Sequence, residues 1–233
     1  MGMFLLGSLK IYILVLLIFK GMKKNLLFMA TGFAVLNINA QNFTGTIDFK
    51  QTTLKDTNSN VYVVKDKIIK LDQYGKKSGN VEGSFIFDLT AKSIKWLNPK
   101  RKIWGEQKSE TPALIRGKCE VSKGTSTKSI QGVKCIDYTV KNTDENTTIT
   151  YWIATEKFDF FIPLLKLWNR KDKQSVYFSQ IQGLAEGSMP LLSEEKQLGD
   201  GKMLTKLEVI KINKKVPDDA SVQMPSDFTK FDK

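Results

Sequence analysis

Apolar and polar residues alternate along residues 43–50. Phe43, Ile47 and Phe49 share one face of an extended chain, and Thr44, Thr46, Asp48 and Lys50 share the other. Side chains of a strand alternate between faces, so this pattern predicts an antiparallel strand buried on one side. The same reading places strands over residues 61–65 and 67–71, after a turn cluster at 56–60. A Gly- and Lys-rich loop at 73–83 separates these from strands at 85–89, 93–97 and 102–106. Asn98-Pro99-Lys100 turns the last pair, because proline presets φ and asparagine starts turns.

Residues 128–140 and 147–154 read as a hairpin turned at 142–146, with Gly132 as a bulge or bend early in its first strand. Strands resume at 175–181, 189–197 and 203–212, and Asp200-Gly201 is a hairpin turn between the last two. Residues 216–233, with Pro217 and Pro225, read as irregular. Such a run of strands and short turns predicts a mainly β fold built on a curved antiparallel sheet or barrel.

Residues 158–170 break the alternation. They include Phe158, Phe160, Phe161, Ile162, Leu164, Leu165, Leu167 and Trp168, the most apolar stretch after residue 40. Pro163 suits the first turn of a helix, where its missing N–H is not needed, so a short helix is expected over 163–169. An apolar helix face ordinarily fills a core. The alternative is that this segment covers the mouth of an open sheet and helps to line a cavity. Sequence alone does not separate a plug from a lid.

The amino-terminal residues follow another pattern. From Met22, Lys23 and Lys24 precede an apolar run at 26–36, and Ile38-Asn39-Ala40 ends in a small residue. That is the order of a signal peptide cleaved near Ala40. Residues 3–19 form another apolar run, slightly short for a bilayer and interrupted by Lys10. Residues 1–21 are expected to be an over-extended start, the alternative being a membrane anchor. Residues 41–233 are then a single exported β-rich domain, periplasmic or secreted.

The chain of 233 residues carries a net charge of +12. The four lysines of residues 1–40, which hold no acid, leave +8 on the remainder. Such an excess favours anionic membrane surfaces or lipid headgroups, or is plain solubilising charge. Lys76-Lys77, Lys100-Arg101-Lys102 and Lys214-Lys215 fall at predicted loops or strand ends, and nothing here resembles a nucleic-acid module.

Two cysteines, Cys119 and Cys135, are expected to pair in an oxidising compartment. The bridge would close a loop of about 15 residues and contribute roughly 3 kcal/mol. The alternative is two buried free thiols.

The sequence contains no histidine, which removes Ser–His and Cys–His nucleophiles and most zinc sites. It has no phosphate-binding glycine loop and no nucleophile elbow, so no cofactor is expected. Glu194 and Glu195 would point to opposite faces of a strand, and Asp218-Asp219 follows Pro217 as a turn or cap. No pair of carboxylates is placed for acid–base work.

The opening FTGTIDFK, the pair VYVVKDKIIKLD, the stretch TKSIQGVKCIDYTVKN with TTITYWIATE, and the closing VPDDASVQMPSDFTKF resemble the family catalogued as domain of unknown function 4412. Gly132, Cys135, Tyr138, Tyr151-Trp152 and Pro225 carry most of the resemblance, which spans residues 43–231. Cys119 is not part of that pattern. The resemblance implies export and a likeness to the periplasmic lipoprotein-carrier (LolA/LppX-like) superfamily. That in turn implies an unclosed half-barrel of strongly curved antiparallel strands with one or two helices on its concave side.

The expected function is a non-enzymatic periplasmic carrier or sensor of an apolar ligand such as a lipid or acyl chain. Phe160, Phe161, Leu164, Leu165 and Trp168 would form the wall, and rim lysines would meet a charged headgroup. The rival expectation is a cell-envelope interaction module with a packed core and no ligand.

Overall fold

Two antiparallel meanders share one seam and make a single twelve-stranded sheet. The computed structural model describes residues 42–231, apart from Pro112 and Glu156. The leader predicted for residues 1–40 lies outside the described residues. The first meander is β1 (Gly45–Thr53), β2 (Thr57–Lys65), β3 (Ile68–Tyr74), β4 (Val81–Asp88), β5 (Ser93–Asn98) and β6 (Ile103–Gln107). The second begins with β7 (Glu120–Ile130), β8 (Val133–Asn142) and β9 (Thr147–Ala154). Two helices follow, α1 (Phe161–Trp168) and α2 (Lys173–Phe178), and then β10 (Met189–Gln197) and β11 (Met203–Asn213) complete it. A 3-10 turn at Asp219–Val222 leads to the short β12 (Thr229–Lys230).

The strand order is β12-β6-β5-β4-β3-β2-β1-β11-β10-β9-β8-β7, so β1 and β11 form the seam and the end strands do not meet. Every pairing is antiparallel except β12 on β6. Register shifts interrupt the ladders at Asp48/Phe49, Gln73/Tyr74, Pro190/Leu192 and Glu195/Lys196. An extra residue on one strand bends it and increases its twist, which curves the sheet without closing it. The result is the mainly β, unclosed half-barrel that the resemblance implied.

The inner face is apolar because the alternation of each strand delivers it there. Ile47 and Phe49 of β1, Tyr62 and Val64 of β2, Ile69 and Leu71 of β3, and Ile149 and Tyr151 of β9 are all buried. Both helices lie on this face. The Trp168 ring sits 5.1 Å from Phe85 and 4.8 Å from Phe87 on β4. Phe178 meets Tyr151 on β9 at 5.6 Å, and Phe161 joins the two helices through Phe178 at 5.7 Å.

Several expectations need correction. Residues 128–140 are not one strand. Gln131 and Gly132 both have positive φ, 51° and 74°, the signature of a two-residue hairpin turn between β7 and β8. The strand expected at 175–181 is largely helix. The Asp172 carboxylate accepts from the Ser175 N–H at 3.0 Å and starts α2, overriding the strand preference of Val176, Tyr177 and Phe178. Helix α1 starts two residues earlier than expected and stops where Asn169 turns left-handed, at φ 53°. The tail is not wholly irregular, since β12 adds a parallel edge to β6. Much of the cluster at 56–60 belongs to β2.

The expected disulfide is absent, and both cysteines are free thiols. Glu120, next to Cys119, pairs with Lys141, whereas Cys135 pairs with Lys128. Positions 135 and 141 of one strand lie about 20 Å apart. The residues between the cysteines are spent on an extended strand, which carries them far beyond bridging distance.

Candidate functional site

Helix α1 buries Phe161, Leu164 and Trp168, which recur along one side of the helix and turn it toward the sheet. Leu165 is half-buried beside them. These residues do not fill the space beneath the helix. A cavity of about 90 Å³ remains between the helices and β1, β2, β3, β9, β10 and β11. Phe161, Leu164, Leu165, Trp168 and Phe178 form its roof, and Phe49, Tyr62, Leu71, Tyr151 and Leu207 its floor.

Of the five wall residues expected from sequence, the structure brings Phe161, Leu164, Leu165 and Trp168 to the cavity. Phe160 packs instead against Phe43 at 5.9 Å and Tyr62 at 6.0 Å, beside the approach loop. The sequence predicts lysines at the rim to meet a headgroup, yet no lysine among the described residues lines the cavity. Its charged groups are Arg170 and Asp172, paired at 2.9 Å. Arg170 also lies 4.6 Å over the Trp168 ring, closing the end of α1.

Sequence reasoning missed the polar part of the wall. Gln51, Asn60 and Gln73 come from adjacent strands and Gln174 from α2. Asn60 pairs with Phe49 on one side and Gln73 on the other, so the three strand residues form one patch on the inner face. An available signal was each carboxamide standing two residues from an inward apolar residue: Gln51 after Phe49, Gln73 after Leu71, and Asn60 before Tyr62. The same three residues border an open groove of about 310 Å³ with Asn58, Tyr74, Glu82 and Gly83, so they mark the polar end of the cavity.

The two helices are fastened differently. On α2, the Tyr177 hydroxyl donates to Glu145 Oε2 at 2.6 Å, and Lys173 Nζ donates to Thr147 Oγ1 at 2.8 Å. Lys173 also lies 3.3 Å from Glu145, and the Arg116 N–H donates to Glu145 Oε1 at 3.0 Å. The Tyr177 hydroxyl, aided by these neighbours, holds the Glu145 carboxyl below its usual range. Buried Glu195 goes the other way, its pKa raised by loss of water and only partly offset by Thr205 and Lys173. Burial pushes the Tyr62 phenol up to about 12, so the ring on the cavity floor stays neutral.

Helix α1 is held by apolar contact and by its end. Asn169 Nδ2 donates to the Glu110 carbonyl at 2.6 Å, and the Glu110 N–H donates to the Trp168 carbonyl at 3.1 Å. Among the described residues, no hydrogen bond joins α1 to a strand. None of their helices is long and apolar enough to cross a membrane. No cluster of three His, Cys, Asp or Glu residues among them could hold a metal.

Fold and cavity together define an unclosed β half-barrel roofed on its inner face by two short helices. The chain belongs to the family described as domain of unknown function (DUF4412), whose profile matches residues 43–228. No curated protein matches the sequence. Among solved structures the chain is similar to an uncharacterized conserved protein from Thermus thermophilus, at 8% identity and a TM-score of 0.47, covering 80% of this chain and 88% of that one. It is also similar to the Pseudomonas aeruginosa MucA/MucB complex, at 10% identity and TM-score 0.46, covering 81% of this chain and 57% of that one. A LolA superfamily protein from Nitrosomonas europaea gives 8% identity and TM-score 0.33, over 79% and 91% of the two chains.

Proposed function

We propose that this protein is a non-enzymatic carrier or sensor of an apolar ligand in the bacterial periplasm, with helix α1 as the movable roof of its binding site. The observation that carries the reading is the aromatic-walled cavity left beneath α1 in an otherwise buried interior. Interiors are close-packed, and a persistent void gives up contact energy unless a guest supplies it. At about 90 Å³ the cavity is smaller than the roughly 300–1,000 Å³ of most ligand sites, so a long chain enters by lifting the roof.

The fastening of the roof supports that route. Helix α1 rests on rings and aliphatic side chains, which exchange partners without leaving polar groups unpaired. An alkyl chain that replaces those contacts recovers about 0.8 kcal/mol per buried CH₂. The absence of histidine from the sequence supports a binding role over a hydrolytic one. The signal-like residues 22–40 support export.

The test is uptake of the uncharged apolar dye N-phenyl-1-naphthylamine by the protein purified without detergent, with native mass spectrometry of the same sample. Dye fluorescence or co-purified lipid that is lost in Leu165→Trp, which fills the cavity from a half-exposed position, is the expected result. No dye uptake and a clean protein mass would overturn the reading.

A further inference from the structure

An apolar guest alone leaves Gln174 without a role. Its side chain lines the cavity and the residue is 7% exposed, yet neither Nε2 nor Oε1 has a hydrogen-bond partner. A buried carboxamide with no partner is destabilising, so such groups are rare unless something else satisfies them. The backbone around it is fixed. The Tyr151 hydroxyl donates to the Gln174 carbonyl at 2.8 Å, and the Asp172 cap sets the start of α2.

The polar groups that share the cavity wall with Gln174 are mostly neutral, with hydroxyls of Ser175 and Ser193 among them and one charged pair. Gln51, Asn60 and Gln73 add three carboxamides to the same wall. Arg170 is neutralised by Asp172 at 2.9 Å. Among the described residues, the groove beyond is lined by Glu82 and by no cationic side chain. A carboxamide both donates and accepts, so four of them suit a head that does the same. An anionic head would use only the N–H half of each carboxamide, and it would meet the Glu82 carboxylate and an arginine already paired.

We infer that the site takes an amphiphile whose alkyl chain lies under α1 and whose uncharged head, an amide or a hydroxyl-bearing ester, pairs with Gln174. This rests on the binding function proposed above and names its ligand class. It replaces the charged headgroup expected from the lysine-rich composition.

The experiment is displacement of N-phenyl-1-naphthylamine at pH 8 by five ten-carbon probes: decanamide, monodecanoylglycerol, decanoate, decyl phosphate and decane. Decanamide or monodecanoylglycerol should displace the dye at concentrations about tenfold lower than the two anions or decane. Which of the two is stronger separates an amide from an ester head. Gln174→Leu should abolish that preference and raise the Tm of the unliganded protein by removing an unpaired polar group. Equal or stronger displacement by decanoate, decyl phosphate or decane would overturn the head assignment and leave the apolar site standing. So would an unchanged preference in Gln174→Leu, or a Tm that falls in that variant with the preference intact. No dye uptake by the unaltered protein would overturn the binding function and this inference with it.

Discussion

The Tyr151 hydroxyl of β9 donates to the backbone carbonyl of Gln174 at 2.8 Å, a buried bond that ties α2 to the sheet. Tyr151→Phe keeps the ring and its contact with Phe178 but removes this buried hydrogen bond. The expected cost is about 0.5–1.5 kcal/mol. Urea unfolding should show a lower midpoint at an unchanged slope.

Glu145 stabilises through its charged form. Its folded pKa lies below the usual carboxylate value, so the native state binds fewer protons there than the unfolded chain. The stabilisation is complete above the unfolded pKa and disappears as the pH falls through the folded one. Glu145→Gln should therefore lower stability at neutral pH, and the gap to the unaltered protein should narrow below about pH 4.5. Thermal melts from pH 3 to 7 give the comparison.

Glu195 has the opposite sign. Its pKa is raised by burial, so ionisation at neutral pH opposes folding. Glu195→Gln should raise the Tm at pH 7, with the gain shrinking as the pH falls and the native carboxyl takes up its proton. A constant gain at every pH would show that the charge is not the cause.

Gly45 sits at the seam with φ at 147°, and a Cβ built there would lie 2.1 Å from the Asn213 carbonyl oxygen. Gly45→Ala must push β1 away from the end of β11. A loss of at least about 2 kcal/mol is expected. Hydrogen exchange should quicken first along β1 and β11, the junction of the two meanders.

Both thiols should react under denaturing, non-reducing conditions, giving two additions by intact mass. In the native protein Cys119, half-buried, should react before Cys135, which is buried and whose thiol is pushed up to about 11. A protein that takes no label when denatured would contradict the register of β7 on β8.

Much of the fold was legible because burial follows side-chain alternation. Phe43, Ile47 and Phe49 mark β1 directly, and Trp168 ends a helix close to where Asn169 and Pro163 suggested. Most of β7 was illegible for the converse reason. Its residues are nearly all exposed on both faces, so it is a strand only through backbone pairing with β8, which side-chain patterns do not record. Helix α2 was hidden because Val176, Tyr177 and Phe178 suit strands, while the deciding group, Asp172, acts on the backbone. The aromatic roof of the site was visible in residues 158–168. Its carboxamides were not, since Gln51, Asn60 and Gln73 become neighbours only once the register of three strands is known.

The excursion that carries α1 and α2 leaves the sheet at Ala154 and rejoins it at Met189, and those two residues are partners on adjacent strands. Both legs thus spring from one rung of the ladder. No strand runs through the excursion, so a shift of α1 would part no pair of strands, while α2 stays tied to the sheet through Tyr151. The length and amino-acid make-up of the excursion can therefore change while the frame beneath it stays constant.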